Sequence, residues 1–297
     1  MKTVIIADKN GQAGNQLYLF AHFISNAVEN NYRIYFPAFN ELSLYFENAS
    51  DNRYGNYPIN SRVSRFNFLN KSFLFIFRFI VAILFRTIPL SKWHRVIRLY
   101  HTNDLQNDPY VYYNMEREKD FLSNERLQIL QGWSFRSPQC VIRQRKIVVS
   151  FFQLKPYWKK KVNDTININR KDCEILIGVH VRRGDYIKFM NGIYLYDNKT
   201  YENYMQQVFK LFPGKKIGFL ICSNENVSIK QPEGCSITYP NGHFIEDLYS
   251  LAECDYILGP PSTFSQWASY YGNKPIKILF KPDQPILSLE EFSVAPL

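Results

Sequence analysis

The sequence predicts an α/β fold built on parallel sheets, and three observations support this. The near-continuous apolar run from Ile175 to Val181 is typical of a strand covered on both faces. Short apolar runs alternate with helical patterns from there to residue 280, as in parallel α/β sheets. The 297 residues, 46% of them hydrophobic and 21% charged, suffice for two globular domains.

The N-terminal half opens with a strand, a glycine-containing turn and a helix. The strand is predicted at Thr3 to Ala7, the turn has the sequence GQAGN, and helical spacing runs from Leu17 to Val28. Gly11 and Gly14 allow a tight turn or a close backbone approach. Further strands are predicted at 33–36, closed by Pro37, and at 127–130.

The C-terminal half alternates regularly after the central strand. A polar stretch at 163–171 precedes that strand and predicts a domain boundary, with one domain at 1–168 and another at 169–297. Helices are predicted at 200–212, 244–253 and 262–271, and strands at 217–222, 236–239, 256–258 and 276–280.

Cysteine usage and the N-terminus both indicate a cytoplasmic protein. The five cysteines are scattered and form no CxxC pair, so we expect reduced thiols. The apolar run in MKTVIIADKN is too short for the core of a signal peptide.

The net charge of +10 is concentrated in one segment. Residues 52–103 contain nine lysines and arginines and no acid, and they include the apolar run FLFIFRFIVAILF at 73–85. The whole segment suits peripheral contact with an anionic membrane surface, whereas the run at 73–85 is also explained by a buried helix. A nucleic-acid-binding protein is disfavoured, because the charge is not interleaved with stacking aromatics along a groove.

The central strand ends in a charged motif, HVRRGD. His180, Arg182, Arg183 and Asp185 follow one another where ligands bind in open α/β sheets. Guanidinium groups suit bidentate phosphate contacts, and successive strand residues point to opposite faces, so the two arginines are expected to have different roles. The alternative is a solvated, salt-bridged turn.

A second candidate anion site lies in GPPSTFSQW, at 259–267. The chain leaves a strand, turns at Pro260 and Pro261, and enters a helix with Ser262 or Thr263 as its N-cap. A helix N-terminus with such a hydroxyl can bind an anion, although a plain capped helix has the same sequence pattern.

The motifs HVRRGDY, GQAGNQ and PSTFSQW, in this order and spacing, resemble the bacterial α-1,2-fucosyltransferase family. QGWSF at 131–135 and FLICSNE at 219–225 also match its patterns. The resemblance covers nearly the whole chain. It implies a GT-B fold, with two Rossmann-like domains facing a cleft, the acceptor held mainly by the first domain and GDP-fucose by the second.

The resemblance also assigns roles to individual residues. Asn15 corresponds to a family asparagine at the cleft, and Gln12, the pair Pro260-Pro261 and Gln266 depart from the family motifs. Gln12 and Gln266 lie near the presumed acceptor side, so they leave the identity of the acceptor less determined than that of the donor. The donor-binding residues implied are Arg182 at the β-phosphate, His180 against the nucleotide, Asp247 at the guanine, Ser262, Thr263 and Phe264 on the diphosphate side, and Arg183.

The expected reaction is inverting transfer of L-fucose from GDP-fucose to a terminal galactose or N-acetylgalactosamine, in O-antigen or capsule biosynthesis. The chain has no D-x-D motif, so we expect no metal and assign charge neutralisation to Arg182. Asp185 and Asp8 are both candidate general bases, Asp185 is alternatively a partner of an arginine, and a loosely dissociative path needs little base. Another linkage or GDP-sugar is the enzymatic alternative.

Overall fold

The computed structural model describes residues 1–49, 55–59, 76, 79–80, 83, 95–98 (backbone only), 112–118, 121–122, 127–240 and 242–297. They form two compact units, Met1–Lys155 together with Leu297, and Pro156–Pro296. The predicted domain boundary at 168/169 lies inside the helix Pro156–Arg170, which belongs to the second unit.

The first unit contains a five-stranded sheet in the order β3-β2-β1-β6-β4. All neighbours are parallel except β2 and β3. Ile6 pairs with Leu130, so β1 and β6 end at the same edge. The strands are β1 (Thr3–Ile6), β2 (Arg33–Tyr35), β3 (Asn56–Tyr57), β4 (Arg95–Arg98) and β6 (Leu127–Gln131), and β5 (Tyr113–Asn114) pairs with β7 (Phe135–Arg136) separately.

The helices of this unit pack through aromatic side chains. The predicted first helix is confirmed as α1 (Ala13–Asn30), which buries Leu17, Phe20 and Phe23. The Phe20 ring lies 4.9 Å from that of Phe39 and 5.3 Å from that of Phe151. Further α-helices with described bounds in this unit are α2 (Asn40–Ser43), α3 (Pro138–Arg143) and α4 (Arg145–Phe151).

Parts of two charged segments have definite structure. β4 lies within the basic segment 52–103, most of which is outside the described residues. Ile76, Phe79, Ile80 and Ile83 are helical and exposed, so these four do not form a buried helix. Glu116 is exposed, and its carboxylate accepts hydrogen bonds from the Ser137 hydroxyl and from the main-chain N–H groups of Gln139 and Cys140, at the start of α3.

The second unit contains a fully parallel sheet in the order β10-β9-β8-β11-β12. The central strand is confirmed: Leu176, Ile177, Val179 and Val181 are fully buried. The strands are β8 (Ile175–Val181), β9 (Ile217–Ser223), β10 (Ser236–Thr238), β11 (Tyr256–Gly259) and β12 (Ile276–Ile278).

Among the described residues of this unit, three of the four α-helices were predicted. These are α6 (Asn198–Lys210), α7 (Phe244–Glu253) and α8 (Thr263–Gly272). The fourth, α5 (Pro156–Arg170), occupies the stretch expected to be a polar boundary, and it buries only Val162 and Asn169.

Two further properties follow from the side chains and helix lengths. All five cysteines are buried and none forms a disulfide. Among the residues that the structure describes, no helix has the length and hydrophobicity needed to cross a membrane.

Candidate active site

His180 occupies the end of β8 in a tightly packed position. Its side chain is buried, and its ring lies 5.0 Å from the Phe264 ring at an angle of 30°. β11 approaches closely at Gly259, where an added Cβ would lie 3.0 Å from both Cβ and the carbonyl oxygen of His180. A larger residue at this point would therefore have to push His180 away.

The environment of His180 keeps its imidazole neutral. Burial, and secondarily the charge of Arg182, lower its pKa to about 3. Its Nδ1 atom is buried and has no hydrogen-bond partner in the part of the chain that the structure describes. A neutral ring with one uncommitted nitrogen can bind a polar ligand without adding charge.

Arg182 and Asp185 form an ion pair just beyond the strand. Arg182 Nη2 donates to Asp185 Oδ2 at 2.8 Å, with 15% of the arginine side chain and 50% of the aspartate exposed. Gly184 has a φ of +60° and turns the chain so that Asp185 faces back to the guanidinium. The pair therefore fixes the orientation of Arg182.

Arg183 has different partners, as the strand alternation predicted. Its main-chain N–H donates to Asn224 Oδ1 at 2.9 Å, and its Nη2 donates to Asn198 Oδ1 at 2.5 Å. Asn224 belongs to the motif FLICSNE noted in the sequence and directly follows β9. Asn198 carries no sequence signal, because it comes from the start of a distant helix.

The helix N-cap predicted at the second candidate anion site is confirmed, while anion binding there stays a prediction. Ser262 is the N-cap of α8, and its Oγ accepts a hydrogen bond from the Phe264 N–H at 3.2 Å. Thr263 is the first residue of the helix. The Tyr186 hydroxyl donates to the Pro261 carbonyl, so the turn before α8 is tied to the turn after β8. Sequence reasoning missed Tyr186.

Asp247 lies in the first turn of α7, adjacent to the end of β8. It is 9% exposed, and its Oδ1 has no hydrogen-bond partner among the described residues. Burial, followed by the charge of Glu246, raises its pKa to about 7. The Cys222 thiol donates to the Asp247 carbonyl at 3.7 Å, and Cys222 is the β9 partner of His180.

The residue before Asp247 completes the cap of α7. Glu246 accepts a hydrogen bond from the His243 N–H at 2.8 Å, and it forms an ion pair with Lys161 at 3.1 Å. An added Cβ at Gly242 would lie 2.7 Å from Glu246 Oε2 and 3.3 Å from Asp247 Oδ1. A side chain at position 242 would therefore displace the Glu246 carboxylate and crowd that of Asp247.

Asn15 belongs to the first unit, in the first turn of α1. Gly11 has a φ of +62°, a backbone conformation that favours glycine. An added Cβ would also fall 2.2 Å from Asn15 Nδ2, so the Asn15 side chain would have to move. The role of Asn15 in catalysis stays a prediction.

The second unit thus brings together groups suited to binding an anion. An oriented guanidinium, a hydroxyl and the main-chain amides at the start of α8 lie around a neutral imidazole. Within the described residues, no group of three or more histidine, cysteine, aspartate or glutamate side chains is arranged to hold a metal ion.

Residues 148–293 match the model of Glycosyl transferase family 11, and this segment contains every site residue of the second unit described above. The chain is a glycosyltransferase. The matched segment is about half of its length. None of the curated protein sequences matches it.

Solved structures show the fold of the remainder of this glycosyltransferase as well. A mutant of Arabidopsis thaliana FUT1 in complex with GDP has a TM-score of 0.57 at 13% identity, covering 98% of this chain and 73% of that one. The NodZ α-1,6-fucosyltransferase soaked with GDP-fucose has a TM-score of 0.55 at 14% identity, covering 94% and 95%. Selenomethionyl NodZ from Bradyrhizobium has a TM-score of 0.54 at 13% identity, covering 90% and 91%. The predicted GT-B fold class is confirmed.

Proposed function

We propose that this glycosyltransferase is a galactoside α-1,2-fucosyltransferase. It transfers L-fucose from GDP-fucose to a terminal galactose or N-acetylgalactosamine, with inversion and without a metal, in the synthesis of a bacterial surface polysaccharide such as O-antigen or capsule. The observation that carries the proposal is the Arg182–Asp185 ion pair just beyond β8, which the Tyr186–Pro261 hydrogen bond joins to the turn before α8. Such an arrangement matches the charge of a nucleotide diphosphate.

The donor assignment is supported by the comparisons and by the residues around β8. Of the similar solved proteins, the Arabidopsis thaliana FUT1 mutant is in complex with GDP and NodZ was soaked with GDP-fucose. In this chain, Arg182 is assigned to the β-phosphate, Ser262, Thr263 and Phe264 to the diphosphate side, and His180 to the nucleotide. Ionised Asp247 would accept hydrogen bonds from the N–H groups of guanine, which gives its buried oxygen a partner.

The development of charge makes the main contribution to the activation barrier of the proposed reaction. The acceptor hydroxyl oxygen attacks C1 of fucose while the bond from C1 to the phosphate oxygen breaks, and GDP leaves with the bonding electrons. The transition state therefore combines an oxocarbenium-like sugar with a developing phosphate anion. Arg182, helped by the Ser262 hydroxyl and main-chain N–H groups, stabilises that anion. One preorganised donor of this kind contributes about 3 to 4 kcal/mol.

The group that takes the proton of the acceptor hydroxyl has to be assigned separately. Asp185 already accepts a hydrogen bond from Arg182, which favours an orienting role over that of a general base. A pH–rate profile decides between these roles. Loss of the acidic limb in Asp185→Asn would identify a base, whereas a lower rate with an unchanged limb would identify an orienting residue.

The test of the whole proposal is GDP release from GDP-fucose in the presence of EDTA. Release that depends on a galactose-terminated acceptor, with an α-1,2 product by NMR, supports it fully. A different linkage, or release from another GDP-sugar alone, would favour the enzymatic alternative. Absence of both GDP release and GDP-fucose binding would refute the donor assignment.

Localisation forms a further part of the proposal. We place the enzyme in the cytoplasm, in peripheral contact with the anionic inner face of the cytoplasmic membrane. The support is the basic segment 52–103, together with the exposed apolar side chains of Ile76, Phe79 and Ile80 within it.

A further inference from the structure

A second group of polar and aromatic side chains lies at the carboxyl edge of the first unit's sheet. β1 and β6 are parallel neighbours that end together. Asp8 follows β1, while Gly132 and Trp133 follow β6. Ligands of open α/β sheets bind beyond the carboxyl ends of the strands. The proposed donor site uses none of these residues.

The Asp8 carboxylate is held firmly at this edge. Its Oδ2 accepts a hydrogen bond from the Gly132 N–H at 3.1 Å, and its Oδ1 accepts from Gln131 Nε2 at 3.4 Å. Asn10 Nδ2 donates to the carbonyls of Asp8 and Gly132, at 3.3 and 3.2 Å. The two loops are therefore one cradle, and the half-buried carboxylate has a fixed direction.

The indole ring of Trp133 is fixed in the same cradle. The Arg136 guanidinium lies 4.1 Å from its ring centre and 4.8 Å from that of Tyr18. Arg136 Nη1 also donates to the carbonyls of Trp133 and Phe135, at 2.5 and 2.8 Å. Trp133 is half-buried, and the 9% exposed Arg136 holds it in place. Such preorganisation lowers the entropic cost of binding.

The charges of the cradle select its ligand. The Asp8 carboxylate and the Arg136 guanidinium carry opposite charges, and the neighbouring Lys9 is paired with Glu41 at 2.5 Å, so the cradle favours a neutral polar ligand. Hydroxyl groups donate well to a fixed carboxylate, and an aromatic ring packs against an apolar face. A pyranose offers both, and galactose and N-acetylgalactosamine, with an axial O4, present a continuous C–H face.

The geometry points to this cradle, Asp8 with Trp133, as the binding site for the terminal sugar of the acceptor. The inference rests on the proposed function for the choice of galactose or N-acetylgalactosamine. In it, Asp8 accepts hydrogen bonds from sugar hydroxyls and Trp133 packs against the C–H face of the ring.

The test is saturation-transfer NMR with methyl β-D-galactopyranoside and its N-acetylgalactosamine counterpart, in the presence of GDP. We expect Trp133→Ala and Asp8→Asn to weaken glycoside binding tenfold or more, on the order of 1.4 kcal/mol. Trp133→Phe should retain most of it. Glu118→Gln, which changes an exposed acid of the same unit, is the matched control. Melting curves verify the fold, and Trp133→Phe with Asp8→Asn carry the test if Trp133→Ala does not fold.

GDP affinity separates this inference from the proposed function. We expect it to change less than twofold in every variant, while the acceptor KM rises tenfold in Asp8→Asn and Trp133→Ala. Wild-type glycoside binding in both variants would overturn the cradle, as would a wild-type protein that binds GDP but neither glycoside. Glycoside binding that is lost in the variants, in a protein that fails to bind GDP, would refute the donor instead.

Discussion

At the scale of single residues, burial sets the charge of His180, near the end of β8, and of Asp247, in the first turn of α7. His180 is held neutral because desolvation disfavours its cation, and the adjacent Arg182 adds to this effect. Asp247 is shifted in the opposite direction, because desolvation and Glu246 disfavour its anion. Arg182 is consequently the cation that is positioned for an anionic ligand at this strand end.

The first residue-scale prediction concerns the shape of that cation. Arg182→Ala should reduce kcat by about 100- to 1000-fold, the usual loss for one preorganised donor. Arg182→Lys should not restore the rate, because an ammonium lacks the bidentate fork. Acceptor-dependent GDP release measures both. Arg143→Ala, which removes an exposed arginine of the first unit, is the control. Most of the activity surviving in Arg182→Ala would refute the role.

The second residue-scale prediction concerns pH. If ionised Asp247 binds guanine, GDP affinity should fall as the pH drops below about 7, approaching tenfold per unit, because the protonated form must lose its proton first. Asp247→Asn should bind GDP weakly and without this dependence. Calorimetry in buffers of different ionisation enthalpy should detect proton release near pH 7. Pairs of buffers that give identical heats would contradict the assignment.

The raised pKa of Asp247 also makes the stability of the folded protein depend on pH. An aspartate whose folded pKa is raised favours the folded state at pH values below its unfolded pKa. That contribution is lost as the pH rises through about 7. Asp247→Asn should therefore raise the melting temperature of the unliganded protein more at pH 8 than at pH 5. A larger gain at pH 5 would contradict the sign of the shift.

At the scale of elements, glycines set how closely neighbouring segments approach around the site. Gly259 lets β11 pack against His180 on β8, and Gly242 leaves space for the carboxylates at the start of α7. Gly272 performs the same function between α8 and α7, since an added Cβ would fall 2.0 Å from the Ala252 carbonyl oxygen. The site depends on these approaches as much as on its polar groups.

Gly259→Ala tests this dependence. The added methyl group must push His180 and its strand away, so we expect a loss of about 1 to 3 kcal/mol in the free energy of unfolding and weaker GDP binding. Urea denaturation and calorimetry measure the two effects. Gly214→Ala is the control: it adds strain at a φ of +76° in an open turn, so GDP affinity should be unchanged. Wild-type values in Gly259→Ala would contradict the packing argument.

Elements with a strong pattern were predictable from the sequence, and those without one were not. β8 was found because its apolar run is nearly continuous, with every apolar residue after Ile175 buried, and α7 because it follows a clear helical spacing. α5 was missed because Val162 is its only buried apolar residue, so its sequence resembles a polar linker. β4 was missed because its flanking arginines matched the surrounding basic segment.

The same distinction applies to the candidate site. His180, Arg182 and Asp185 lie within the single short motif HVRRGD at 180–185, so the strand end brings them together directly. Asn198 and Tyr186 complete the site through contacts with residues 15 and 75 positions away, and no local pattern encodes such contacts. The cradle around Asp8 and Trp133 likewise depends on the pairing of β1 with β6.

At the scale of the whole molecule, the charge is divided unevenly along the chain. The basic segment 52–103 accounts for nine of the ten net positive charges. Its described apolar residues Ile76, Phe79 and Ile80 are exposed. Basic and apolar side chains together favour an anionic membrane surface, to which each lysine or arginine contributes about 1 kcal/mol.

Vesicle binding tests this property of the molecule. We expect the protein to sediment with phosphatidylcholine vesicles that contain phosphatidylglycerol, less so at high salt, and hardly at all with pure phosphatidylcholine. The triple change Arg62→Gln, Arg65→Gln and Lys71→Gln should weaken binding roughly 100-fold, since three charges are removed. Matched changes at Lys159, Lys160 and Lys171, on or next to α5, should have much less effect. Binding to a DNA duplex with a steep salt dependence, and to no vesicle, would instead indicate a nucleic-acid partner for the basic segment.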